Sequence, residues 1–304
     1  MHAPNNYAVC IVGLGSMGMA AAMSCIKAGL TTYGVDLNPQ ALELLKAAGA
    51  KETAPQADNF AASLHAVVLL VVNAAQVNQI LFGERGLAAK LNAGTPVMIS
   101  STISSTDAKS IEKHLKAFNL PMLDAPVSGG AAKAHDGEMT VMASGSEETF
   151  SKLQPVLEAI AGKVYRIGDE IGLGATVKII HQLLAGVHIA AGAEAMALAS
   201  RAGIPLDVMY DVVTNVAGNS WMFENRMRHV VEGDYTAKSA VDIFVKDLGL
   251  VTDTAKSLNF PLPLASTAFN MFTAASNAGY GKEDDSAVIK IFPGINLPAK
   301  KEHD

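Results

Sequence analysis

Cysteine is scarce in this sequence, and its scarcity limits the chemistry that the chain can carry. Only Cys10 and Cys25 occur among the 304 residues. Each lies in an apolar pattern, so we expect two small buried side chains rather than a disulfide or a pair of metal ligands. The histidines at positions 65, 114, 135 and 229 also lack partners at metal-ligand spacing. The sequence therefore predicts no metal site and indicates a reducing, cytoplasmic environment.

A concentration of charge of one sign is missing as well. The net charge of −6 is spread along the chain, and the only basic run is Lys300-Lys301, so we expect no nucleic-acid partner. The opening MHAPNNYAVC has no charged segment before an apolar one, and we expect no signal peptide. The apolar stretch 174–202 is long enough to span a bilayer, but polar side chains that lipid rarely covers interrupt it: Lys178, His181, Gln182, His188, Glu194 and Arg201. We therefore expect no membrane partner.

The first half of the chain alternates apolar runs with helical patterns. The runs lie at 7–12, 31–35, 66–72, 96–100, 120–124, 139–143 and 164–166. A run that is apolar throughout, such as 66–72, is typical of a strand covered on both faces. This alternation predicts an α/β fold built on a doubly wound parallel sheet.

The second half changes character after residue 170. No convincing strand pattern follows, and helical patterns lie at 205–215, 219–231, 240–258, 263–278 and 284–292. A long helix at about 174–202 would join the two halves, with Gly203 placed to end it. Ser239 and Asp242 have the spacing of a capping box for the helix that carries Lys246. We expect an α/β domain at 1–170 and an all-helical domain at 171–304.

A glycine-rich turn follows the first predicted strand. Gly13, Gly15 and Gly18 form a G-x-G-x-x-G motif that opens a helix, and Asp36 ends the second strand. In that context the glycines allow the turn, the approach of a diphosphate to the backbone, and close packing of helix on strand. The motif predicts a dinucleotide site in a Rossmann-type domain, with a ligand-free glycine turn as the alternative; its residues would be Gly13, Leu14, Gly15, Ser16, Met17, Gly18 and Asp36.

The identity of the dinucleotide follows from the end of the second strand. The Asp36 carboxylate would accept hydrogen bonds from ribose hydroxyls and repel a 2′-phosphate. The next residues, Leu37 and Asn38, supply no arginine for such a phosphate. We therefore expect NAD rather than NADP.

Two further segments suit an anionic substrate. Ser128, Gly129 and Gly130 follow a predicted strand and would form a small polar nest for a carboxylate, although an ordinary glycine turn fits the same residues. Lys178, near the start of the long helix, lies one turn before Gln182 on the same helical face. Taken alone, Lys178 is more simply explained as a surface lysine whose stem packs on the protein.

Ordered motifs then carry a resemblance to a known family. They are GLGSMG at 13–18, STISS at 101–105, DAPVSGG at 124–130, GLGATVK at 172–178 and KDL at 246–248. With these motifs in family order, nearly the whole chain resembles the β-hydroxyacid dehydrogenases, which include 3-hydroxyisobutyrate dehydrogenase and tartronate semialdehyde reductase. The resemblance implies an NAD-dependent enzyme that oxidises a small hydroxyacid.

The resemblance also implies roles for individual residues. Lys178 matches the family's catalytic lysine, which would act as general acid and base, and the Ser128 loop matches the loop that binds the substrate carboxylate. Asn73, Thr102 and Lys246 match positions that contact the cofactor, with Asp247 beside the last. The family commonly has Asn four residues after the lysine, whereas this chain has Gln182 preceded by His181. Because Gln is one methylene longer, we expect a different substrate preference.

The segment HQLLAGVHIAA at 181–191 and the C-terminal half most resemble the subgroup that oxidises the 2-hydroxyl of a four-carbon sugar acid, so L-threonate is the expected substrate.

His181 would bind an extra hydroxyl or act only through packing, and Trp221 would line the pocket or anchor the packing. The alternatives are a 3-hydroxyisobutyrate dehydrogenase, a tartronate semialdehyde reductase, an imine reductase and a catalytically silent dinucleotide-binding module. Relatives pair through the helical domain, which implies a homodimer or homotetramer.

Overall fold

The computed structural model describes residues 6–300, and the chain divides into two compact units at residues 1–178 and 179–304. Residues 1–5 and 301–304, on which the expectations about a leader and a basic tail partly rest, lie outside the described range. The division falls inside a continuous helix that begins at Leu173. The domain boundary between residues 170 and 171 therefore stays a proposal.

A nine-stranded sheet forms the centre of the first unit and confirms the predicted α/β class for this part of the chain. Its strands are Ala8–Val12 (β1), Thr31–Val35 (β2), Glu52–Ala54 (β3), Ala66–Leu69 (β4), Val97–Ile99 (β5), Met122–Asp124 (β6), Val127–Ser128 (β7), Met139–Ser144 (β8) and Ala161–Gly168 (β9). They are ordered β3-β2-β1-β4-β5-β6-β8-β7, with β9 paired to β8. The strand order reverses direction at β1, which lies between β2 and β4.

The sheet is not parallel throughout, and the prediction is wrong at one edge. Strands β1 to β6 pair in parallel, but β8 runs antiparallel to β6 and to β7. Strand β7 has only two residues, which are too few to form an apolar run. The hydrophobic pattern of the sequence therefore gave no signal for this reversal of strand direction. Strand β3, whose three residues are all half-buried, escaped prediction for the same reason.

Helices cover both faces of the sheet, as the doubly wound arrangement requires. They are Ser16–Lys27 (α1), Pro39–Ala47 (α2), Ala74–Phe82 (α3), Ser105–Lys116 (α4), Gly130–His135 (α5) and Glu147–Ile160 (α6). Successive β1 side chains enter different hydrophobic clusters: Cys10 and Val12 pack in one, Val9 and Ile11 in the other. Each fully buried aliphatic side chain of this kind stabilises the fold by about 1.5–3 kcal/mol.

The second unit is helical, as predicted. Its helices are Leu173–Arg201 (α7, which starts in the first unit), Leu206–Thr214 (α8), Trp221–Glu232 (α9), Val241–Ser257 (α10) and Pro263–Ala275 (α11), followed by short helical turns at 276–280 and 285–291. Gly203, with φ +78°, follows the end of α7 as expected. Helix α7 packs closely on its neighbours, since a Cβ at Gly186 would lie 2.9 Å from a Leu248 methyl carbon.

Helix α7 is also long and apolar enough to cross a membrane by length and composition. Half of its most apolar 18-residue window is buried inside the protein. Many apolar residues of α7 from Ile179 onward, among them Ile189 and Met196, contribute to the core of the second unit together with α9, α10 and α11. A core helix meets the same length and composition criteria as a membrane span.

The predicted capping box at Ser239 and Asp242 is wrong. Helix α10 begins after Ala240, and no side chain caps it. The Ser239 carbonyl instead accepts a hydrogen bond from the Asp285 backbone N–H, at 2.7 Å, and the Asp242 carboxylate accepts one from the Ser276 hydroxyl, at 2.6 Å. Contacts with residues far along the chain therefore displace the local capping interaction.

Candidate active site

The glycine turn after β1 leaves space where a dinucleotide would approach. Gly13 has φ +90°, and a Cβ there would lie 2.6 Å from the Leu70 carbonyl oxygen. A Cβ at Gly18 would lie only 1.8 Å from the Gly13 carbonyl oxygen, so α1 packs tightly against the turn. At Gly15, which precedes the first residue of α1, a Cβ would meet no described atom within 4 Å. The space beside Gly15 is thus open, as the approach of a diphosphate requires.

Asp36 lies where the motif predicts, directly after β2. Its Oδ2 accepts a hydrogen bond from the Leu14 backbone N–H at 2.6 Å, and its Oδ1 accepts one from the Asn38 N–H at 2.8 Å. These bonds fix the carboxylate beside the glycine turn. Leu14, whose side chain is buried, therefore contributes its backbone N–H to positioning Asp36.

Asn73 and Thr102 follow the carboxyl ends of β4 and β5, two neighbouring parallel strands. The Asn73 side chain caps α3 by accepting a hydrogen bond from the Gln76 N–H at 2.9 Å. Thr102 is half-buried and follows Ser101, whose hydroxyl accepts from the Val71 N–H at 3.2 Å. Both residues thus lie at the edge of the sheet where β1 ends in the glycine turn, which is the edge where α/β folds bind ligands.

The segment 128–130 forms a sharp turn between β7 and α5. Ser128 pairs with Thr140 of β8, while Gly129 and Gly130 have φ +127° and +69°. A Cβ at Gly129 would lie 2.9 Å from the Lys133 Cβ, so a larger residue would strain the turn. Ser128 and Gly129 are half-buried and Gly130 is exposed, so this turn is accessible from solvent.

Sequence reasoning missed the part played by Asp124, the last residue of β6. Its Oδ2 accepts hydrogen bonds from the Gly172 and Ala175 N–H groups, both at 2.9 Å, and Ser144 accepts one from the Gly174 N–H at 3.1 Å. Asp124 therefore caps the start of α7 across about fifty residues of sequence, beyond the reach of any local pattern. Burial raises the pKa of this carboxyl, although the backbone donors act in the opposite direction.

Lys178, His181 and Gln182 occupy one side of α7 at helical spacing. Lys178 is 7% exposed, so the explanation as a surface lysine is wrong. Gln182 is also buried, whereas His181 is exposed.

A chain of polar contacts links α7 to α10. The Gln182 amide nitrogen donates to Asp247 Oδ2, and the Gln182 amide oxygen lies 2.9 Å from His181 Nδ1. Asp247 Oδ1 pairs with the Lys246 ammonium at 2.7 Å. Since Asp247 is almost completely buried, the Gln182 hydrogen bond and the Lys246 charge compensate a carboxylate that water cannot reach.

The chain of polar contacts that links α7 to α10 in the described structure does not include Trp221, the two cysteines or the histidines at 65, 114, 135 and 229. Trp221 opens α9 with 58% of its surface exposed, so within the described residues it does not anchor the core. Cys10 and Cys25 are buried free thiols, and burial raises the pKa of each. Within residues 6–300, no three His, Cys, Asp or Glu side chains group as a metal site would require.

A second buried charged cluster lies in the helical unit and had no sequence signal. His229 Nδ1 lies 2.9 Å from Asp284 Oδ1, and the Arg226 Nε lies 2.7 Å from Asp285. Burial alone would raise the pKa of Asp284, but hydrogen bonds from His229 and Ser286 lower it to about 2. Burial raises the pKa of Asp285 to about 7 although Arg226 opposes the shift. This cluster joins α9 to the 285–291 turn and serves the core.

Two families match the chain in succession. Residues 8–168 match the NAD binding domain of 6-phosphogluconate dehydrogenase. Residues 172–292 match the family described as NAD-binding of NADP-dependent 3-hydroxyisobutyrate dehydrogenase. Together the two matches cover both units.

Full-length relatives are also similar. An L-threonate dehydrogenase of Pectobacterium atrosepticum is 78% identical over 302 residues, covering 99% of each chain. An L-threonate dehydrogenase of Escherichia coli K12 is 72% identical and covers 99% of this chain and 100% of its own. Among solved structures, a 3-hydroxyisobutyrate dehydrogenase from Salmonella typhimurium is 72% identical with a TM-score of 0.91, covering 94% of this chain and 100% of that one.

Proposed function

Because the chain belongs to the β-hydroxyacid dehydrogenase family that includes 3-hydroxyisobutyrate dehydrogenase, it is an NAD-dependent hydroxyacid dehydrogenase, and we propose that its substrate is L-threonate. The reaction is oxidation of the 2-hydroxyl to give 2-dehydro-L-erythronate. The observation that carries this proposal is 78% identity, over 99% of the chain, to a relative bearing the name L-threonate dehydrogenase. The identity of 72–78% to relatives named as dehydrogenases speaks against the catalytically silent module.

The cofactor is NAD, and we assign its contacts to the edge of the sheet where β1 ends. Gly13, Leu14, Gly15, Ser16, Met17 and Gly18 would hold the diphosphate. The open space beside Gly15 and the first N–H groups of α1 support this assignment. Asp36, fixed by two backbone N–H groups, would accept the ribose hydroxyls. Asn73, Thr102 and Lys246 would contact the remainder of the cofactor, which supplies the hydride acceptor when bound.

The substrate carboxylate would bind at Ser128, Gly129 and Gly130. The positive φ angles of both glycines support this assignment, because turns with left-handed residues are where backbone N–H groups form anion-binding nests. The Ser128 hydroxyl adds a side-chain donor. Strand β7 and helix α5 hold this turn at its two ends.

Lys178 would act as the general acid and base. In the oxidation its neutral amine accepts the proton of the 2-hydroxyl as the hydride leaves the same carbon, and in the reverse direction its ammonium returns that proton to the forming alkoxide. The burial of Lys178 and the cap that Asp124 places on the first turn of α7 support this role, because both restrict where the amine can lie. Gln182 and His181, on the same side of α7, would belong to the substrate-binding site.

We also propose a homodimer or homotetramer in the cytoplasm. Several large apolar side chains of the helical unit are at least half exposed, which is the kind of surface that subunits cover: Leu184, Leu198, Val208, Val212, Val216 and Trp221. Light scattering on the purified protein tests the assembly, and a monomer would exclude it.

The substrate proposal is tested by absorbance of NADH at a fixed enzyme concentration. The panel contains L-threonate, its stereoisomers, 3-hydroxyisobutyrate and glycerate, each with NAD⁺ and with NADP⁺; tartronate semialdehyde is tested in the reductive direction. We expect the highest kcat/KM for L-threonate with NAD⁺. A higher value for 3-hydroxyisobutyrate, the substrate named by the similar Salmonella structure, would overturn the proposal.

A further inference from the structure

The contacts of Gln182 fix the directions of the two hydrogen bonds that join Asp247, Gln182 and His181. Asp247 carries a carboxylate, which only accepts, so the Gln182 group that faces it must be the amide NH₂. The amide oxygen of Gln182 therefore faces His181 Nδ1, at 2.9 Å. An amide oxygen only accepts, and so the proton lies on Nδ1 of His181.

The proton on Nδ1 determines what the other side of the ring offers. A neutral imidazole carries one N–H, so with Nδ1 protonated the lone pair lies on Nε2. His181 is exposed and lies one turn after Lys178 on α7, so this acceptor lies on the side of the helix that carries the proposed base. The Nε2 acceptor can receive a hydrogen bond from a substrate hydroxyl, whereas an alkyl group has no polar hydrogen to donate.

We propose that His181 is a specificity residue that accepts a hydrogen bond from a second substrate hydroxyl, and that Gln182, held by Asp247 and Lys246, is the positioning residue that keeps the ring in the required tautomer. This inference rests on the proposed function and narrows it to acids with a hydroxyl at C3 or C4 beside the reacting one. The longer Gln matters because its amide contacts Asp247 and His181 at the same time.

The tautomer is tested directly and without substrate. Histidine labelled with ¹⁵N gives ring resonances whose shifts distinguish a protonated from an unprotonated nitrogen, and the His181 signals are those missing from the His181→Phe variant. We expect a protonated Nδ1 and an unprotonated Nε2 in the wild type at pH 8, and a mixture of tautomers in Gln182→Asn. A wild-type ring protonated on Nε2 overturns the proposal, whatever the enzyme oxidises.

The specificity is tested with matched deoxy acids. 2,4-Dihydroxybutanoate lacks the 3-hydroxyl and 2,3-dihydroxybutanoate lacks the 4-hydroxyl. The deoxy acid that lacks the hydroxyl bound by His181 should have a wild-type kcat/KM about tenfold below that of L-threonate, because it loses one hydrogen bond. His181→Phe and Gln182→Asn should each reduce this preference to within about threefold by losing L-threonate activity selectively, and the double variant should lose no more.

His188→Ala, on the same helix but outside these contacts, is the control and should keep the wild-type preference. An equal loss for all three acids in Gln182→Asn would indicate a merely structural role and overturn the proposal. If the expected tautomer is found but no four-carbon acid is oxidised, the proposed substrate fails while the ring assignment survives.

Discussion

Replacing Gly15 with alanine should abolish tight cofactor binding without weakening the fold. Gly15 has φ −65° and ψ −172°, a conformation that alanine adopts without strain, and the added methyl would meet no described atom within 4 Å. Its methyl would instead occupy the space that we assign to the diphosphate. Gly18→Ala is the matched contrast, because there the methyl would lie 1.8 Å from the Gly13 carbonyl oxygen.

The expected sizes follow from these geometries. At Gly15, alanine is a poorer helix N-cap than glycine, which should lower the free energy of unfolding by about 0.5–1 kcal/mol. Alanine also restricts the unfolded chain, which should raise the free energy of unfolding by about 0.4–1 kcal/mol. The net change should therefore be less than about 1 kcal/mol. Displacing a diphosphate from backbone N–H groups should weaken binding by about 3 kcal/mol, or a hundredfold in Kd. Gly18→Ala must move backbone and should cost about 3 kcal/mol or more of folding stability.

NADH binding by fluorescence titration and urea unfolding of both variants measure these effects. We expect Gly15→Ala to unfold at the wild-type midpoint and to bind NADH about a hundredfold more weakly, and Gly18→Ala to unfold at a much lower urea concentration. A Gly15→Ala protein that binds NADH with the wild-type Kd would refute the assignment of the diphosphate to this turn.

Three further substitutions test neighbouring parts of the account. Asp36→Asn keeps an acceptor for the Leu14 N–H but removes the charge that repels a 2′-phosphate, so the ratio of kcat/KM for NAD⁺ over NADP⁺ should fall about tenfold; an unchanged ratio would contradict the role of Asp36. Asp124→Ala leaves the buried Gly172 and Ala175 N–H groups without their acceptor and should cost about 2–4 kcal/mol in urea unfolding, whereas Asp124→Asn, which keeps an oxygen there, should cost less than half as much. The pKa of Asp284, lowered to about 2, means that its charged form stabilises the fold above the unfolded value of 3.8 and that this stability is lost as the pH falls toward 2. The difference in unfolding free energy between wild type and Asp284→Asn should therefore shrink by about 2 kcal/mol between pH 5 and pH 2, and a constant difference would contradict it.

Local patterns predicted the elements whose residues carry their own signal. The run 31–35 is β2 to the residue, and the glycines at 13, 15 and 18 form the turn that their spacing indicates. The long helix begins and ends within one residue of the predicted 174–202. In each case the spacing of apolar residues or glycines follows directly from local geometry, namely burial along a strand or helix and the tight turn that glycines allow.

The contacts between distant segments could not be predicted in this way. Asp124 caps α7 from about fifty residues away, and Gln182 contacts Asp247 across 65 positions. At Ser239 a valid local signal lost to distant contacts, because the Asp242 N–H donates to the Gly281 carbonyl and the Asp242 carboxylate accepts from the Ser276 hydroxyl, which are the groups that a capping box needs. Polar side chains that pair across long sequence separations are not regularly spaced along the chain. A single sequence therefore shows which groups they carry but not which residues they contact.

The central claim is that the Lys178 amine moves the proton in an NAD⁺-dependent oxidation of L-threonate. Its most direct test is the single-turnover rate of NADH formation by wild type and Lys178→Ala at saturating L-threonate and NAD⁺, with NADH binding measured on both. Loss of a general base predicts a rate lower by about 10²–10⁴-fold with an NADH Kd within about threefold of wild type. A Lys178→Ala enzyme that turns over within about tenfold of wild type would contradict it.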